Sequence, residues 1–467
     1  MRRARDGTDV IIVGGGPAGL FAAYRLAERS DLSVCLLEQG DEADRRSCPV
    51  SSSGTCLHCR PHCRILSGLG GAGLFSDGKL NFIPKLGKSD LTQFLPLPEA
   101  EALLEETEAV FNRFGLDAPV FPPDREAAEN IRSRARRAGI HLLLIRQKHL
   151  GSDRLTGPIS ALCAYLRQRG VDIRTGQKVT EVRVEENRVL GVVAPEGFLP
   201  ARAVILAPGR VGADWMGALA QTHGLRVSQR GIEVGVRVEV HRDILKALCE
   251  VIYDPAFFLR TSRYDDEIRT FCTNPGGFVT QETYQDFVCV NGHSFRDRKS
   301  ENSNFAFLSK VVLTDPVSDN QGYGQALGRL ATFIGGGKPI LQRFGDLKRG
   351  RRSTWNRIGN SYIEPTLRAV VPGDIAMALP ERIVANVADG LLQLNKVIPG
   401  VANEETLLYA PEIKFFATQV ETDARLETSV ANLFVAGDGP GVSGNIVAAA
   451  ATGMIPADCI AEKFRTG

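Results

Sequence analysis

The most constraining stretch of this chain is TDVIIVGGGPAGLFAAYRLAER, residues 8–29. Residues 9–13 are an apolar run that reads as a buried strand. Three glycines follow, and PAGLFAAYRLAER (17–29) carries helical periodicity. A second apolar run, VCLLE (34–38), completes a β-α-β beginning and predicts a parallel sheet. Gly14, Gly16 and Gly19 fit GxGxxG between that strand and that helix. Gly14 permits the tight turn, Gly16 admits a pyrophosphate to the backbone, and Gly19 allows the helix to pack closely on the sheet. Pro17 and Ala18 open the helix, whose free N–H groups face the phosphates. Glu38 closes the second strand, where a carboxylate accepts hydrogen bonds from a ribose 2′-OH and repels a 2′-phosphate. The stretch predicts a dinucleotide site.

Two further glycine turns point to FAD rather than NAD. Near the other end, LFVAGDGPG supplies Gly437 and Asp438 after a strand. Flavoproteins of the two-dinucleotide-binding type use such a carboxylate to hold the ribityl chain. The next helix begins at Ser443, Gly444, Asn445 and Ile446, and its positive end would face the isoalloxazine O2. AVILAPG (203–209), with Ala207 and Gly209, resembles the turn these flavoproteins place beside the adenine half, and Val179 is a further cofactor candidate. Glycine is 48 of 467 residues, and 17 of those 48 fall in the windows 14–19, 68–78, 207–212, 276–277 and 437–444. Glycine permits close backbone approach, so the excess has a use.

Composition removes several alternatives. Lysine plus arginine number 56 against 54 acids, a net charge of +2, which argues against nucleic acid as the partner. No 18-residue apolar run predicts a membrane span. VIIV is too short for a secretory h-region, so the chain is expected to be cytoplasmic. Of ten cysteines, Cys35, Cys163, Cys249, Cys289 and Cys459 sit in apolar contexts and read as core. Cys48, Cys56, Cys59 and Cys63 crowd together as C-x7-C-x2-C-x3-C, with His58 and His62 between them. That spacing leaves three readings open: a zinc or iron–sulfur site, redox-active thiols, or neither.

Along the chain, helical patterns occupy 99–114 and 125–138. A helix, a small antiparallel meander and a strand follow over 158–209, then a strand-rich block over 232–312 and helical stretches at 322–345 and 380–396. The motifs SGLGGAGLFSDGKLNF (67–82), KHLGSD (148–153), APGR (207–210), GIEVGVRVE (231–239), RTFCTNPGGFV (269–279), NGHSFRDR (291–298) and YAPEIKFF (409–416) run in order across nearly the whole chain. Together they resemble a family of largely uncharacterised FAD-dependent dehydrogenases. The resemblance implies a discontinuous FAD domain with an inserted substrate domain. Where the family pattern often has a second cysteine before PGG, this chain has Asn274, which puts a dithiol role for Cys272 in doubt.

The expected fold is α/β: a Rossmann-like FAD domain, with a parallel sheet and a small antiparallel meander, plus an inserted α+β substrate domain. The expected boundaries are 1–90, 150–230 and 405–467 for the FAD domain, 91–149 for a helical insertion, and 231–404 for the cap. Gly71, Ser76, Asp77 and Lys79 are expected near the flavin. Lys79, Cys272 and His293 are candidate catalytic groups; His149 and Asp153 are a candidate acid/base pair. The expected chemistry is hydride transfer between a small organic substrate and flavin N5. A flavin monooxygenase, a dithiol/disulfide flavoenzyme and a non-catalytic electron-transfer flavoprotein are the alternatives. No second strand–GxGxxG–helix pattern occurs, so NAD(P)H would dock only transiently.

Overall fold

Thr8–Val13 is a strand buried from Asp9 onward, Pro17–Arg29 a helix, and Val34–Leu37 the next strand. The computed structural model describes residues 8–48, 59, 61–75, 78–151, 154–228, 230–284, 286–295, 298–314, 316, 319–415 and 419–465. Two units divide the chain. The first is Met1–Ala118, Lys148–Ser228 and Ala417–Gly467; the second is Pro119–Gln147 and Gln229–Phe416.

The first unit is built on a parallel sheet. Its strands run in the order Leu433–Val435, Gly197–Leu206, Thr8–Val13, Val34–Leu37, Asp172–Arg174. Gly197–Leu206 belongs to two patterns. Ala201 to Leu206 run parallel to Thr8–Val13, while Gly197 to Pro200 pair antiparallel with Arg188–Ala194, which pairs in turn with Glu181–Glu185. This is the predicted meander. Val10, Ile12, Leu36, Ile205 and Phe434 are fully buried in one apolar core. The terminal helix Ile446–Lys463 lies against Pro17–Arg29, so close at Gly453 that a Cβ there would stand 2.0 Å from the Ala18 carbonyl oxygen.

The second unit carries an eight-stranded sheet in the order Val371–Pro372, Ile340–Arg343, Leu407–Lys414, Ile232–His241, Asn302–Val311, Glu267–Asn274, Ala256–Arg260, His141–Leu143. Alternation along Ile232–His241 gives its two faces opposite characters. Ile232, Val234, Val236, Val238 and Val240 face an apolar core of their own. Glu233, Arg237 and Glu239 occupy the other face and are buried too. The hairpin of Phe278–Thr283 and Val288–His293 packs on that polar face.

Two expected boundaries move. The segment 91–149 is not a separate insertion. Leu97–Arg113 puts Ala100, Leu104 and Phe111 into the first unit's core, whereas Ile140 and Leu142 join the second unit's core and His141–Leu143 pairs with Ala256–Arg260. The return to the first unit comes at 417 rather than 405, because Leu407–Lys414 pairs with Ile232–His241. In both cases long-range strand pairing and core membership set the limit, and neither has a local signature.

Candidate cofactor site

The glycine turns of the first unit meet at the carboxyl ends of its parallel strands. Gly14 adopts a φ of 106°, and a Cβ there would stand 2.1 Å from the Ala207 carbonyl oxygen. A Cβ on Gly19 would be 1.9 Å from the Gly14 oxygen, so the helix can approach its own turn only with glycine there. Gly439 abuts the Gly209 oxygen in the same way, at 2.5 Å, and a Cβ on Gly437 would be 3.1 Å from the Ala18 Cβ. Gly71 would bring a Cβ within 3.0 Å of the Gly16 Cα, and Gly73 one within 3.3 Å of Ile446. Four chain segments, near residues 14–19, 68–73, 207–209 and 437–446, thus share one small region. The helix Pro17–Arg29 begins at Gly16 with no side-chain cap and no acid in its first turn. Its leading N–H groups suit an anion, and Pro17 at the first position removes one donor that would otherwise need a partner.

Glu38 ties these turns together. One carboxylate oxygen accepts from the Gly15 N–H at 2.6 Å; the other accepts from Gly40 and Gly68, both at 2.8 Å. Its backbone oxygen accepts from Gln177 at 2.8 Å, two residues before the buried Val179. A carboxylate has about four acceptor positions, so three backbone donors leave little over for a ribose. The residue expected to read the sugar also holds two glycine turns in register, a task the motif alone does not reveal.

At the late turn, the Asp438 carboxylate is paired with the Lys88 ammonium through Oδ1 and with Arg210 Nε through Oδ2 at 3.1 Å. Burial works to raise the Asp438 carboxyl, but Lys88 and Arg210 outweigh it and hold it below the usual carboxylate range. Lys88 lies in the turn between the short strands Lys85–Leu86 and Ser89–Asp90, and its side chain covers Gly444, where a Cβ would stand 2.5 Å from Lys88 Cγ. Asn445 caps the terminal helix by accepting from Ala448 N–H at 2.8 Å, and its amide donates to Ser89 Oγ at 3.1 Å. Ser443 is fully buried, and its hydroxyl has no hydrogen-bond partner among the described residues. An orphaned hydroxyl, a carboxylate acceptor and an uncapped helix start are what a dinucleotide with a polyhydroxyl chain needs, so the residues present fit FAD.

Sequence reasoning missed Lys88, Arg210 and Arg46. Arg46 is buried and donates to the carbonyls of Arg64 at 3.1 Å, Ile65 at 2.6 Å, Gly68 at 3.3 Å and Leu69 at 2.7 Å. Burial pushes its pKa down to about 10, against the pull of Glu38, Cys63 and Asp41. Arg210 follows the Ala207–Gly209 turn directly and was within reach of a closer look at that motif. Lys88 had no signal, since its partner is 350 positions away.

Of the remaining candidates, Lys79 begins a buried strand, Lys79–Phe82, that packs beside the terminal helix. Ser76, Asp77 and Asp153 lie outside the described residues, and His149 is half-buried at the end of the strand Arg146–His149. Within the cysteine segment, Cys48 and Cys59 are half-buried and Cys63 exposed; Cys56 lies outside the described residues. Among the described residues, no group of three or more His, Cys, Asp or Glu side chains is arranged to hold a metal ion. No helix of the described residues is long and apolar enough to cross a membrane.

Cys272 and His293 belong to the second unit, at the edge of its buried polar face. Arg237 makes a two-point pair with Glu412, at 2.7 and 2.6 Å, and Lys414 meets the same carboxylate at 2.9 Å. Arg237 also donates to the Cys272 carbonyl at 3.0 Å, to Asn304 at 3.2 Å and to Asn291 at 3.0 Å. Cys272 has a φ of 50°, in the region that favours glycine, where the strand Glu267–Asn274 slips register. That conformation is held from several sides. The Cys272 carbonyl also accepts from Asn274 Nδ2 at 2.8 Å, and Thr273 N–H donates to Asp254 at 2.7 Å. Asn274 therefore supplies the bulge with a side-chain donor. Gly292, beside His293, must be glycine-sized: a Cβ would stand 2.5 Å from Arg237 Nη1. The structure brings Cys272 and His293 to the surroundings of one buried arginine, while Lys79 lies in the other unit.

The first unit is thus a dinucleotide-binding α/β unit of the flavin type. Residues 9–232 match the family described as FAD dependent oxidoreductase, and residues 232–414 match the family described as FAD-dependent protein, C-terminal domain-like. A Clostridium beijerinckii protein, itself uncharacterised, is 25% identical over 475 residues, covering 97% of this chain and 81% of its own length. Similar solved structures include L-proline dehydrogenase from P. horikoshii, with 10% identity and a TM-score of 0.39 over 98% of this chain and 94% of that one. Another is glycine oxidase from Geobacillus kaustophilus, with 14% identity and a TM-score of 0.38 over 99% and 96%. Residues 9–232 thus carry an FAD-dependent oxidoreductase domain, followed in order by the C-terminal domain of FAD-dependent proteins over 232–414.

Proposed function

We propose that this FAD-dependent oxidoreductase takes a hydride from a small organic molecule, acting as a dehydrogenase or oxidase. The observation that carries this reading is the meeting of four glycine-rich segments with Asp438 at one end of the parallel sheet. FAD, when bound, supplies a two-electron acceptor. Gly14, Gly16, Pro17, Ala18 and Gly19 would receive the pyrophosphate, with Glu38 and Val179 toward the ribose and adenine end, beside Ala207 and Gly209. Gly437, Asp438, Gly444, Asn445 and Ile446 would hold the ribityl and ring end, together with Gly71, Ser76, Asp77 and Lys79. In the second unit, Cys272 and His293 are the groups proposed to orient the substrate or to hold its proton. The rigid setting of Cys272, gripped through its carbonyl by Arg237 and Asn274, supports such a positioning role.

The test is direct. The purified protein, denatured, should release FAD in about one equivalent. Anaerobic mixing with a panel of small amines, amino acids and hydroxy acids should bleach the bound flavin with at least one of them. Bleaching by NADH or NADPH and by no organic donor would overturn the hydride-from-substrate reading and leave a nicotinamide as transient reductant. Iron, zinc and sulfide analysis of anaerobically purified protein decides whether Cys48, Cys56, Cys59 and Cys63 add a metal to this chemistry.

A further inference from the structure

The surroundings of Asp438 carry more positive charge than Asp438 needs. Arg210 already pairs with one carboxylate oxygen at 3.1 Å, and its side chain is 69% exposed, so solvent screens much of its charge. Lys88 takes the other oxygen with a side chain only 7% exposed. Two cations thus face one carboxylate, and the buried one lies along Gly444, at the start of an 18-residue helix whose N-terminus adds a partial positive charge. Ser443, fully buried with its hydroxyl unpartnered among the described residues, opens onto the same turn. The hairpin that carries Lys88 is fixed there by Ser89 and Asn445. This is a built cluster with an excess of positive charge, and it asks for a negative charge.

The chemistry supplies one. A hydride brings two electrons and one proton, so a flavin ring that takes up a hydride and no further proton gains one negative charge. We propose that Lys88 is the charge-setting residue for the reduced cofactor, stabilising the reduced form that carries this negative charge and raising the flavin's reduction potential. The proposal rests on the FAD reading above and adds to it a residue that no motif marks. Asp438 keeps Lys88 in place and Gly444 makes room for its side chain.

The test reads the potential of the bound flavin rather than turnover. In the wild-type protein the two-electron midpoint potential should fall by about 30 mV per pH unit, the value for one proton taken up per two electrons. A slope of about 59 mV, two protons per two electrons, overturns the proposal without any variant. Lys88→Gln should bind the reduced form at least tenfold less well relative to the oxidised form, a drop of about 30 mV or more. Lys88→Arg should stay close to wild type. A purely structural Lys88 would change FAD retention or thermal stability in Lys88→Gln but leave the potential of the flavin that remains bound unmoved, and that result also overturns the proposal. Absence of flavin from the wild-type protein would sink the FAD reading itself; an unmoved potential sinks only the role of Lys88.

Discussion

The two units handle buried charge in opposite ways. In the first, the charged side chains of the site lie in turns and mostly satisfy backbone groups: Glu38 takes three amide N–H groups, Arg46 four carbonyls, and Asp438 a lysine and an arginine. In the second, charges lie on the flat of a sheet and satisfy each other. Arg269 pairs with Glu233 at 2.6 and 2.7 Å, and Arg237 pairs with Glu412, both out of water. Glu239 accepts from Tyr409 at 2.5 Å and from Thr366. A charge that holds turns in register fixes backbone geometry around a ligand, whereas a charge within a sheet face fixes only its partner. The first arrangement suits a site that takes in a cofactor, and the second suits a rigid platform.

The strongest way to break this contrast is to unpair the platform. Arg237→Met should cost about 3–5 kcal/mol in denaturant unfolding, because Glu412 is left buried beside Lys414 alone. Adding Glu412→Leu should recover much of that loss. A double variant no more stable than the single one would show that Arg237 acts through the Cys272 bulge rather than through its ion pair.

Glu38→Gln probes the other side and should cost less, about 1–3 kcal/mol. One oxygen survives, but an NH₂ group now faces at least one of the three amides, so FAD retention on gel filtration should fall with stability. Unchanged FAD retention would show that the staple serves the fold alone.

Third comes pH. Burial raises the Glu239 carboxyl above its ordinary value near 4.5, against the lowering effect of hydrogen bonds from Thr366 and Tyr409. A group raised in the folded state contributes stability that is complete below its unfolded pKa and is lost as pH rises through the folded one. Glu239→Gln cannot ionise. Its Tm relative to wild type should therefore climb as pH rises from about 4.5. A constant difference across that range would mean that Glu239 is held as comfortably as an exposed acid. The smallest effect is expected for Ser443→Ala in flavin-free protein, within about 0.5 kcal/mol, since a hydroxyl without a partner contributes little. A larger loss would reveal a partner for that hydroxyl in the free protein.

Much of the first unit was legible in the sequence because its signals are local. The helix 17–29, the meander and the three glycine turns each announce themselves within about ten residues. Even the purpose of Gly19 follows from its spacing. What escaped was set by distant partners: Lys88 meets Asp438 across 350 positions, and Arg237 meets Glu412 across 175. In the second unit the alternation of Glu233, Arg237 and Glu239 was visible, but in sequence such a face reads as solvated. The covering hairpin, with Asn291 reaching Arg237, and Thr366 against Glu239 make it interior. The boundary near 405 failed for the same reason, since pairing of Leu407–Lys414 with a strand some 170 residues earlier leaves no local mark.

Arg46 has one more consequence. Its guanidinium donates to the carbonyls of Arg64 and Ile65, so positions 46 and 64 are held together within the first unit. The cysteine-bearing stretch between them is a cassette clipped in at its base. Lengthening such a closed stretch costs only about 0.6 kcal/mol per doubling, so a change in its length is expected to disturb the neighbouring glycine turn little. The clip itself is less replaceable, because the same guanidinium also holds Gly68 and Leu69, and what happens at the base of the cassette is felt directly by that turn.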